Sequence, residues 1–534
     1  MLPLYMDFYH FSNNFQNKSK KKLLQQSKRG LLHIVFGRGV LMLLMLLLNF
    51  FLLFSLMFEL FEGITLIFGG IVAITAVMLL IILNTDDDPA FKLSWSIIVA
   101  VLPLLGIVLY TFFRLDLGSR VHQRMVERSI QSSLPYLPQN SGITDALQQD
   151  DPATAALAQY LYRYGNAPAY ANTDVCYFPL GEDKFEEMLQ QMEQAKEFIF
   201  LEYFIVHPGH MWGRILEVPS RKASEGVEVR VLYDGMNAFT NLPYDYPKRL
   251  EKLGIQCKMF APVRPFVSTH YNNRDHRKIA VIDGHTAFTG GINLQDRYIN
   301  QEEVYGHWKD TAIMVRGEAA KGFTLMFLQM WNATERDPAY EPYLRTVSIN
   351  SAPGLVIPYG ENPTGSERVA RQVYLHILNQ AKQYVYIMTP YLILDTELSG
   401  ALQYAAKRGV DVRIVLPHIP DKKTAFALAK SHYRELTSSG VKVYEYTPGF
   451  VHAKVFLSDD TCGTVGSINL DYRSLFLHYE SGAYLYKLPA LTQIKADFED
   501  TFSKSQMITV ADVKKQSFPC RLLGAILKVV APLM

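Results

Sequence analysis

The strongest constraint on the fold of this chain is an internal repeat of strand-like runs. An apolar run at residues 198–203 is echoed at 384–388, and in each copy a helix-like stretch followed by Ala-Lys comes before it. Further along each copy, the alternating run at 227–232 is echoed at 410–415. Apolar runs that alternate with helical patterns are typical of βαβ units. The sequence therefore predicts two similar α/β halves joined near residues 337–353, and chance similarity of generic strands is the alternative.

The repeat also contains a polar motif, HxKxxxxD, that occurs once in each half. Its residues are His276, Lys278 and Asp283 in the first copy and His452, Lys454 and Asp459 in the second. Each copy is followed by a glycine-containing turn and an asparagine, Asn293 or Asn469, at the same distance from its histidine. One copy would be a weak signal, but two equally spaced copies inside a repeating chain make chance a poor explanation.

Strand geometry sorts the side chains of the motif by face. Because side chains alternate along a strand, the histidine and lysine of each copy share a face. The aspartate has the other parity and ends the strand, so it is better placed to brace the local fold than to touch substrate. The asparagines follow a turn and can reach back toward the histidines. If the halves pack face to face by pseudo-twofold symmetry, one pocket gathers two histidines, two lysines and two asparagines.

This set of side chains has a clear chemical preference. Two ammonium groups and two amides form a cradle for a tetrahedral phosphate. Two imidazoles supply a nucleophile and a proton carrier near neutral pH. We expect no metal, because a lysine ammonium beside each histidine is a poor ligand. A single histidine would more often be structural, so the hypothesis depends on the symmetric pair.

Hydrophobicity is concentrated in the first 115 residues. The whole chain is 49% hydrophobic and 19% charged, whereas soluble chains carry about 25% charged residues. Stretches without a formal charge lie between Arg38 and Glu59, between Glu62 and Asp86, and between Lys92 and Arg114. Each has the ~20 residues that a helix needs to cross the hydrocarbon core. The alternatives are buried core helices or a cleaved signal peptide, whose apolar region would be shorter and would not be followed by two more long apolar runs. Basic residues flank both ends of this region, so the choice between two and three spans stays open, as does the membrane face of the site.

Charge and cysteine content exclude other classes. The net charge of +2 gives no sign of the basic surface that nucleic-acid binding needs, so we expect no nucleic-acid partner. The four cysteines include no CxxC pair, which argues against a zinc site or a disulfide framework. We expect reduced, buried thiols.

The doubled motif resembles that of the phospholipase D superfamily, and the similarity covers most of residues 165–534. The region at residues 88–110 is similar to the N-terminal hairpin of bacterial cardiolipin synthases. Shorter similarities to that family occur at residues 307–310, 389–391 and 469–474. Two features depart from the family: residues 207–212 stand where it usually has an acidic loop, and an additional apolar stretch precedes the usual two spans.

The resemblance implies transfer of a phosphatidyl group from one phosphatidylglycerol to another, which yields cardiolipin and glycerol through a covalent phosphohistidine. It further implies that His276 is the nucleophile and His452 the acid and base, with Asp310 and Glu480 orienting the imidazoles. The groups implied to hold the phosphate oxygens are Lys278, Lys454, Asn293 and Asn469. No cofactor is implied. The implied partners are phosphatidylglycerol, as donor and acceptor, and the lipid bilayer.

These features divide the chain into five segments. They are a basic N-terminal tail (1–37), a transmembrane segment of two or three helices (38–115), a linker (116–164), a first lobe (165–340) and a second lobe (341–534). The tail is either a disordered positive-inside segment or a patch that recruits anionic lipid. The amphipathic segment at 520–530 either lies at the membrane interface or packs on the second lobe. We expect a multi-pass protein of a bacterial cell membrane, and the sequence leaves its oligomeric state open.

Three other functions compete with this interpretation. A phospholipase D-type hydrolase or a phosphatidylserine synthase would share the motif and differ only in the acceptor. A nuclease would need a basic groove with aromatic stacking platforms. A non-catalytic membrane scaffold would be expected to have lost part of the catalytic set, and the sequence retains all of it.

Overall fold

The computed structural model describes residues 64–115, 117–262, 272–344 and 353–533, together with residues 47 and 349. The expected basic tail and, apart from residue 47, the first apolar stretch lie outside the described residues. The chain divides near residue 115 into an N-terminal helical unit and a larger unit that contains both copies of the motif.

Residues 64–115 of the N-terminal unit contain three helices: α1 (Ile64–Leu83), α2 (Pro89–Val101) and α3 (Pro103–Leu115). The last apolar stretch is therefore two helices, where one span was expected. Proline lacks an N–H and restricts the residue before it, and Leu102 accordingly leaves the helical conformation, with φ −128° and ψ 70°. Among the described residues, no helix combines the length and the apolar character that crossing a membrane requires.

The segment expected to be a linker folds into helices instead: α4 (Leu117–Ser133), α5 (Ser141–Asp150) and α6 (Pro152–Gly165). Side-chain caps start two of them, since Asn140 accepts the N–H of Gly142 and Asp151 accepts that of Ala153. Helix α5 buries Leu147, and α6 buries an apolar face that includes Leu157 and Leu161. Polar outer faces made this segment look unstructured in the sequence.

The first lobe is a mixed sheet with helices. In chain order its elements are β1 (Thr173–Phe178), α7 (Gly181–Glu193), β2 (Phe198–Tyr203), α8 (His210–Ser224), β3 (Glu228–Asp234), α9 (Asn237–Thr240), α10 (Tyr246–Glu251), β4 (Gln256–Phe260), β5 (Lys278–Ile282), β6 (Thr286–Gly290), β7 (His307–Lys309), β8 (Ala312–Gly317) and α11 (Ala320–Asn332). The strand order across the sheet is β1-β8-β6-β5-β2-β3-β4. Strands β2, β3 and β4 are parallel and the other neighbours are antiparallel.

The second lobe repeats this arrangement. Its elements are β9 (Leu355–Glu361), α12 (Val369–Gln380), β10 (Tyr384–Met388), α13 (Thr396–Lys407), β11 (Asp411–Pro417), α14 (Lys423–Ser438), β12 (Lys442–Tyr446), β13 (Gly449–Val451), β14 (Val455–Ser458), β15 (Cys462–Gly466), β16 (Glu480–Tyr486), α15 (Ala490–Ser503), β17 (Ser505–Ile508), α16 (Val510–Lys514) and α17 (Phe518–Val530). The order β9-β16-β15-β14-β10-β11-β12 matches the first sheet strand for strand, and β17 adds one edge strand. The prediction of two similar α/β halves is confirmed.

A shared core joins the two lobes. Strands such as β2 are buried along their whole length, as expected for strands covered on both faces. Phe200 and Phe327 from the first lobe and Met388 and Leu457 from the second belong to one continuous cluster of buried apolar residues. The lobes therefore form one packed body.

Backbone pairing also crosses between the lobes, at two places. Strands β7 and β13 are parallel partners, and the N–H of His452, just after β13, donates to the carbonyl of Lys309 at 2.7 Å. In the reverse sense, Asp275 bridges to Tyr479, and the N–H of His276 donates to the carbonyl of Tyr479 at 2.9 Å. The backbone N–H of each motif histidine is thus hydrogen-bonded to the residue directly before an acidic residue of the other lobe, Asp310 or Glu480.

Candidate active site

His276 meets Glu480 at the first of these crossings. Its Nδ1 lies 2.8 Å and 2.9 Å from the two carboxylate oxygens. Glu480 is fully buried, and it also accepts a hydrogen bond from the hydroxyl of Ser467. Burial raises the pKa of Glu480, and the charge of Lys278 and the hydrogen bond from Ser467 oppose this rise. The carboxyl group of Glu480 is thus held by two contacts, one with Nδ1 of His276 and one with the hydroxyl of Ser467.

His452 meets Asp310 in the equivalent way at the second crossing. Its Nδ1 lies 2.6 Å from Oδ2 of Asp310. The other carboxylate oxygen of Asp310 accepts the N–H of Thr311 at 2.8 Å. Gly291 packs directly against the carboxylate of Asp310, because a Cβ at residue 291 would lie 2.1 Å from its Oδ1. Both acids are therefore supplied by the lobe that does not carry the histidine they bind.

The carboxylates favour the Nδ1–H tautomer of each imidazole, although at His452 the ammonium of Lys454 lies 2.8 Å from the same Nδ1 and competes for that position. With Nδ1–H donating to a carboxylate, Nε2 keeps its lone pair for attack on an electrophile or for accepting a proton. Burial, and next the charge of Lys278, lowers the pKa of His276 well below its usual range. Burial and the charge of Lys454 lower the pKa of His452 to about 4. Both rings are consequently neutral near pH 7.

The two lysines lie beside their histidines. Each ammonium donates to the carbonyl of the histidine two residues earlier, and Nζ of Lys454 is also 2.8 Å from Nδ1 of His452. Burial lowers the pKa of Lys278 to about 7 and that of Lys454 to about 8. The charge of Lys454 contributes to the low pKa of His276, and that of Lys278 to the low pKa of His452. The structure therefore brings both copies of the motif into one electrostatic site.

The two asparagines have different surroundings. The side-chain oxygen of Asn293 accepts the N–H of Ile205 at 3.0 Å, and its amide donates to the hydroxyl of Tyr298 at 2.8 Å. The ring of Tyr298 lies 5.3 Å from that of His452. Asn469 is also buried, but its side-chain oxygen has no hydrogen-bond partner among the described residues. Asn293 thus contacts the site through Tyr298, whereas Asn469 retains a free acceptor.

Asp283 and Asp459 lie at the far ends of their strands and bind backbone. Asp283 accepts the N–H groups of three successive residues, 196–198, at 2.8–2.9 Å. Asp459 does the same for 382–384 at 2.6–2.9 Å. Both have positive φ, 50° and 52°, which aspartate tolerates better than most residues. Each aspartate ties the turn after its motif strand to the start of the neighbouring strand.

His478 belongs to the same site, although the sequence analysis did not select it. Its ring centroid lies 5.5 Å from that of His276, and its Nδ1 is 4.0 Å from Oε1 of Glu480. Burial, and next the charge of Arg473, lowers the pKa of His478 well below its usual range. It lies two residues before Glu480, so strand alternation could have placed both on one face.

One set of side chains could hold a metal ion. The ligand atoms of His276, His478 and Glu480 lie within 4.8 Å of one another. An ion there would compete for the carboxylate with Nδ1 of His276, and the ammonium of Lys278 adds a positive charge close by. The arrangement suits anion binding better than cation binding.

Two further regions are defined by their own hydrogen bonds and lining residues: residues 207–212 and a cavity beside Arg277. Residues 207–212 lead into α8, whose first N–H groups donate to Asp296, and the buried Trp212 donates to the hydroxyl of Tyr246. A cavity of about 490 Å³ is lined by Arg277 and Glu361 among others, but by neither motif histidine. The side chain of Arg277 therefore leaves the site of its neighbour His276 and faces a different space.

Comparisons with known proteins agree with this geometry. Residues 188–331 and 374–502 match the family described as "Cardiolipin synthase, PLD-like domain", and residues 71–114 match "Phospholipase_D-nuclease N-terminal". A cardiolipin synthase of Halalkalibacterium halodurans is 31% identical over 88% of this chain and 94% of its own length. An uncharacterized protein of Streptococcus mutans is 51% identical over 85% of this chain and 99% of its own length.

The fold has a counterpart among solved structures. The phosphatidylserine synthase of Haemophilus influenzae superposes with a TM-score of 0.54 at 16% identity, over 71% of this chain and 99% of that one. This likeness concerns the fold alone. The family match and the 31% identical cardiolipin synthase show that the chain belongs to the cardiolipin synthase family of the phospholipase D superfamily.

Proposed function

We propose that this chain synthesises cardiolipin by transferring a phosphatidyl group from one phosphatidylglycerol to a second, with release of glycerol. The observation that carries the proposal is the pair of crossed contacts, His276 with Glu480 and His452 with Asp310. Two neutral imidazoles with free Nε2 atoms, set between two ammonium groups, suit an in-line exchange at phosphorus.

In the first half of the reaction, Nε2 of His276 attacks the phosphorus of the donor, and the bond from phosphorus to the glycerol oxygen breaks. His452 takes up a proton at Nε2 when the anionic donor binds and gives this proton to the glycerol oxygen, so glycerol leaves as a neutral alcohol. The arriving phosphodiester is an anion, which offsets the lysine charges that disfavour protonation of His452. Lys278 and Lys454 neutralise the non-bridging oxygens as charge develops.

In the second half, neutral His452 takes the proton from the terminal hydroxyl of another phosphatidylglycerol. The resulting oxygen attacks the phosphohistidine, the bond from nitrogen to phosphorus breaks, and cardiolipin forms. One phosphodiester replaces another, so no nucleotide is consumed. Glu480 stabilises the imidazolium character of the phosphorylated His276, and Asp310 does the same for the protonated His452.

Water is the competing acceptor, and its attack would give phosphatidic acid. We propose that the N-terminal unit, including α1, α2 and α3, places the enzyme in a bacterial membrane as a multi-pass protein. The match of residues 71–114 to an N-terminal family region supports this role. Confinement to the bilayer would bring two lipid substrates to one enzyme and limit access of water.

The experiment is a product analysis with the purified full chain and labelled phosphatidylglycerol as the only lipid. We expect equal amounts of cardiolipin and glycerol. Phosphatidic acid as the sole product would identify a hydrolase, phosphatidylserine formed only when serine is added would identify a serine transferase, and no turnover would favour a scaffold. His276→Ala and His452→Ala should each abolish turnover.

The two histidines can be told apart with a donor whose leaving group needs no protonation, such as a nitrophenyl phosphodiester. His452→Ala should then accumulate a covalent phosphatidyl enzyme, because the base for the second half is missing. His276→Ala should form none. The opposite pattern would assign the nucleophile to His452.

A further inference from the structure

Helix α17 presents apolar side chains to the outside of the protein. Phe518, Leu522 and Ile526 are 67%, 49% and 56% exposed, and they lie four residues apart on one face. Leu523, beside them, is exposed as well. A surface helix of a soluble domain normally turns such residues inward, so this face needs an explanation.

The opposite face of α17 packs on α14. Gly524 is buried there, and a Cβ added to it would lie 3.0 Å from the Cβ of Ser431 and 3.3 Å from the carbonyl of Ala427. One turn later, Nζ of Lys528 is 3.5 Å from the carboxylate of Glu435. The interior side of the helix is therefore occupied, and the apolar outer face has no partner among the described residues.

These contacts also give the direction of α17. Residues 524 and 528 follow residues 427–431 and 435 in the same order, so the two helices run side by side in the same direction. The Phe518 end of α17 consequently lies at the end of α14 that begins with Lys423.

That end of α14 adjoins the site. Asp421, two residues before α14, accepts the hydroxyl of Tyr391 at 2.6 Å, and Nζ of Lys422 lies 5.0 Å from the same ring. The residue after Tyr391, Leu392, bridges to Leu470, which directly follows Asn469. The exposed apolar face thus begins beside the residues that border the candidate active site.

Basic side chains flank the apolar face. Lys514 and Lys515 precede α17, Arg521 lies within it, and all three are exposed. Apolar residues bordered by cations match the surface of a bilayer with anionic headgroups. An identical copy of this face would instead bring like charges together across a twofold contact. At 13 residues, α17 is also shorter than the ~20 residues of a membrane span, so it suits lying flat.

We propose that the outer face of α17, formed by Phe518, Leu522, Leu523 and Ile526, rests on an anionic lipid bilayer and holds the entrance of the active site at its surface. This inference rests on the proposed function, because it assumes that the substrates are membrane lipids. It assigns α17 a role in lipid access that is separate from anchoring by the N-terminal unit.

Quenching measures this contact without depending on activity. The full chain, with its four cysteines replaced, carries an environment-sensitive fluorophore on Leu522→Cys and is placed in nanodiscs that contain phosphatidylglycerol. The matched control is Tyr404→Cys, on the exposed face of α13. Lipids with a spin label on the acyl chain should quench the probe at 522 several-fold more than the probe at 404. Equal quenching, or disulfide formation between copies at 522 in place of quenching, would overturn the proposal.

A second arm tests the consequence for catalysis. The double variant Leu522→Glu/Ile526→Glu should lower kcat/KM on phosphatidylglycerol in vesicles by roughly 10-fold. It should leave the rate on a short-chain, monomeric phosphatidylglycerol unchanged, as should the control Tyr404→Glu on both substrates. Unchanged activity on vesicles, or equal losses on both substrates, would contradict the proposal. If the parent enzyme made no cardiolipin, the proposed function would fail, while quenching would still decide whether α17 contacts lipid.

Discussion

Nδ1 of His276 lies 2.8 Å from a carboxylate oxygen of Glu480, although 204 residues separate them and they belong to different lobes. His452 and Asp310 form the reciprocal pair at 2.6 Å, 142 residues apart. Neither lobe can orient its own histidine. The proposed catalytic arrangement therefore exists only when both lobes are folded and packed together.

We expect Glu480→Gln and Asp310→Asn each to reduce kcat by roughly 10²- to 10⁴-fold, the range of a lost acid–base contribution. The amide keeps the shape of the acid but cannot balance the positive charge that forms on the imidazole. Steady-state cardiolipin synthesis measures the loss, and a thermal melt serves as the folding control. Ser467→Ala removes only one hydrogen bond to Glu480, so its effect should be much smaller. Near-normal turnover by either amide variant would show that the acid has no orienting role.

The two lysines predict an alkaline limit to activity. Burial lowers the pKa of Lys278 to about 7 and that of Lys454 to about 8, so both lose their charge as the pH rises through this range. Since a neutral amine binds a phosphodiester poorly, kcat/KM should fall above about pH 7 to 8. Because a bound phosphate anion favours the charged form of both lysines, it raises their pKa values. The fall of kcat at alkaline pH should therefore begin at a higher pH than the fall of kcat/KM.

The measurement is the pH dependence of both parameters on a short-chain phosphatidylglycerol. Lys454→Arg keeps its charge at every pH used, so it should remove the part of the fall in kcat/KM near pH 8 and leave the part near pH 7 that comes from Lys278, even if its maximal rate is lower. A profile of the native enzyme that stayed level well above pH 8 would contradict this assignment.

Asp283→Ala should destabilise the protein without touching the histidines. It leaves three N–H groups without their acceptor, and each buried donor left unsatisfied lowers the free energy of unfolding by about 1–3 kcal/mol. It also places alanine at φ 50°. Asp459→Ala should cost less because its hydrogen bonds are more exposed to solvent. Chemical denaturation gives both values, and Asp283→Asn, which keeps one acceptor and tolerates positive φ, should fall between alanine and the native protein. A larger loss at 459 than at 283 would reverse this ranking.

Gly291→Ala should inactivate the enzyme while leaving it folded. A Cβ at this position would lie 2.1 Å from Oδ1 of Asp310, so the carboxylate that orients His452 must move. The control is Gly400→Ala in α13, where an added Cβ meets nothing within 4 Å. That change should be neutral or stabilise the helix by roughly 0.5–1 kcal/mol. Activity and thermal melts of the two variants, compared side by side, measure the effect of the displaced carboxylate.

The repeat was enough to predict the architecture, because equal patterns of strands and helices in the two halves can only build equal sheets. Strand parity also separated the histidines and lysines from Asp283 and Asp459. The crossed contacts could not be predicted from local patterns. Each acid is brought to its histidine by backbone pairing between segments that are far apart in the chain. Asp310 and Glu480 were selected from the family resemblance and not from spacing.

Other features depended on context that a linear pattern does not contain. Helices α5 and α6 looked like a linker because their polar faces dominate the composition, while their few buried leucines were not enough to signal packing. His478 was passed over because it belongs to neither copy of the motif. Asn293 occupies the expected position in the turn, but its amide is engaged by Ile205 and Tyr298.

The reciprocal exchange of acids has a consequence for how such a chain can change over time. A gene that encoded one lobe alone would yield a histidine whose carboxylate partner is missing, and it could work only by pairing with a second copy. In the fused chain, each histidine depends on an acid that the other half encodes, so substitutions in one half are constrained by the other half. Any exchange of lobes between relatives must therefore preserve both junctions at once.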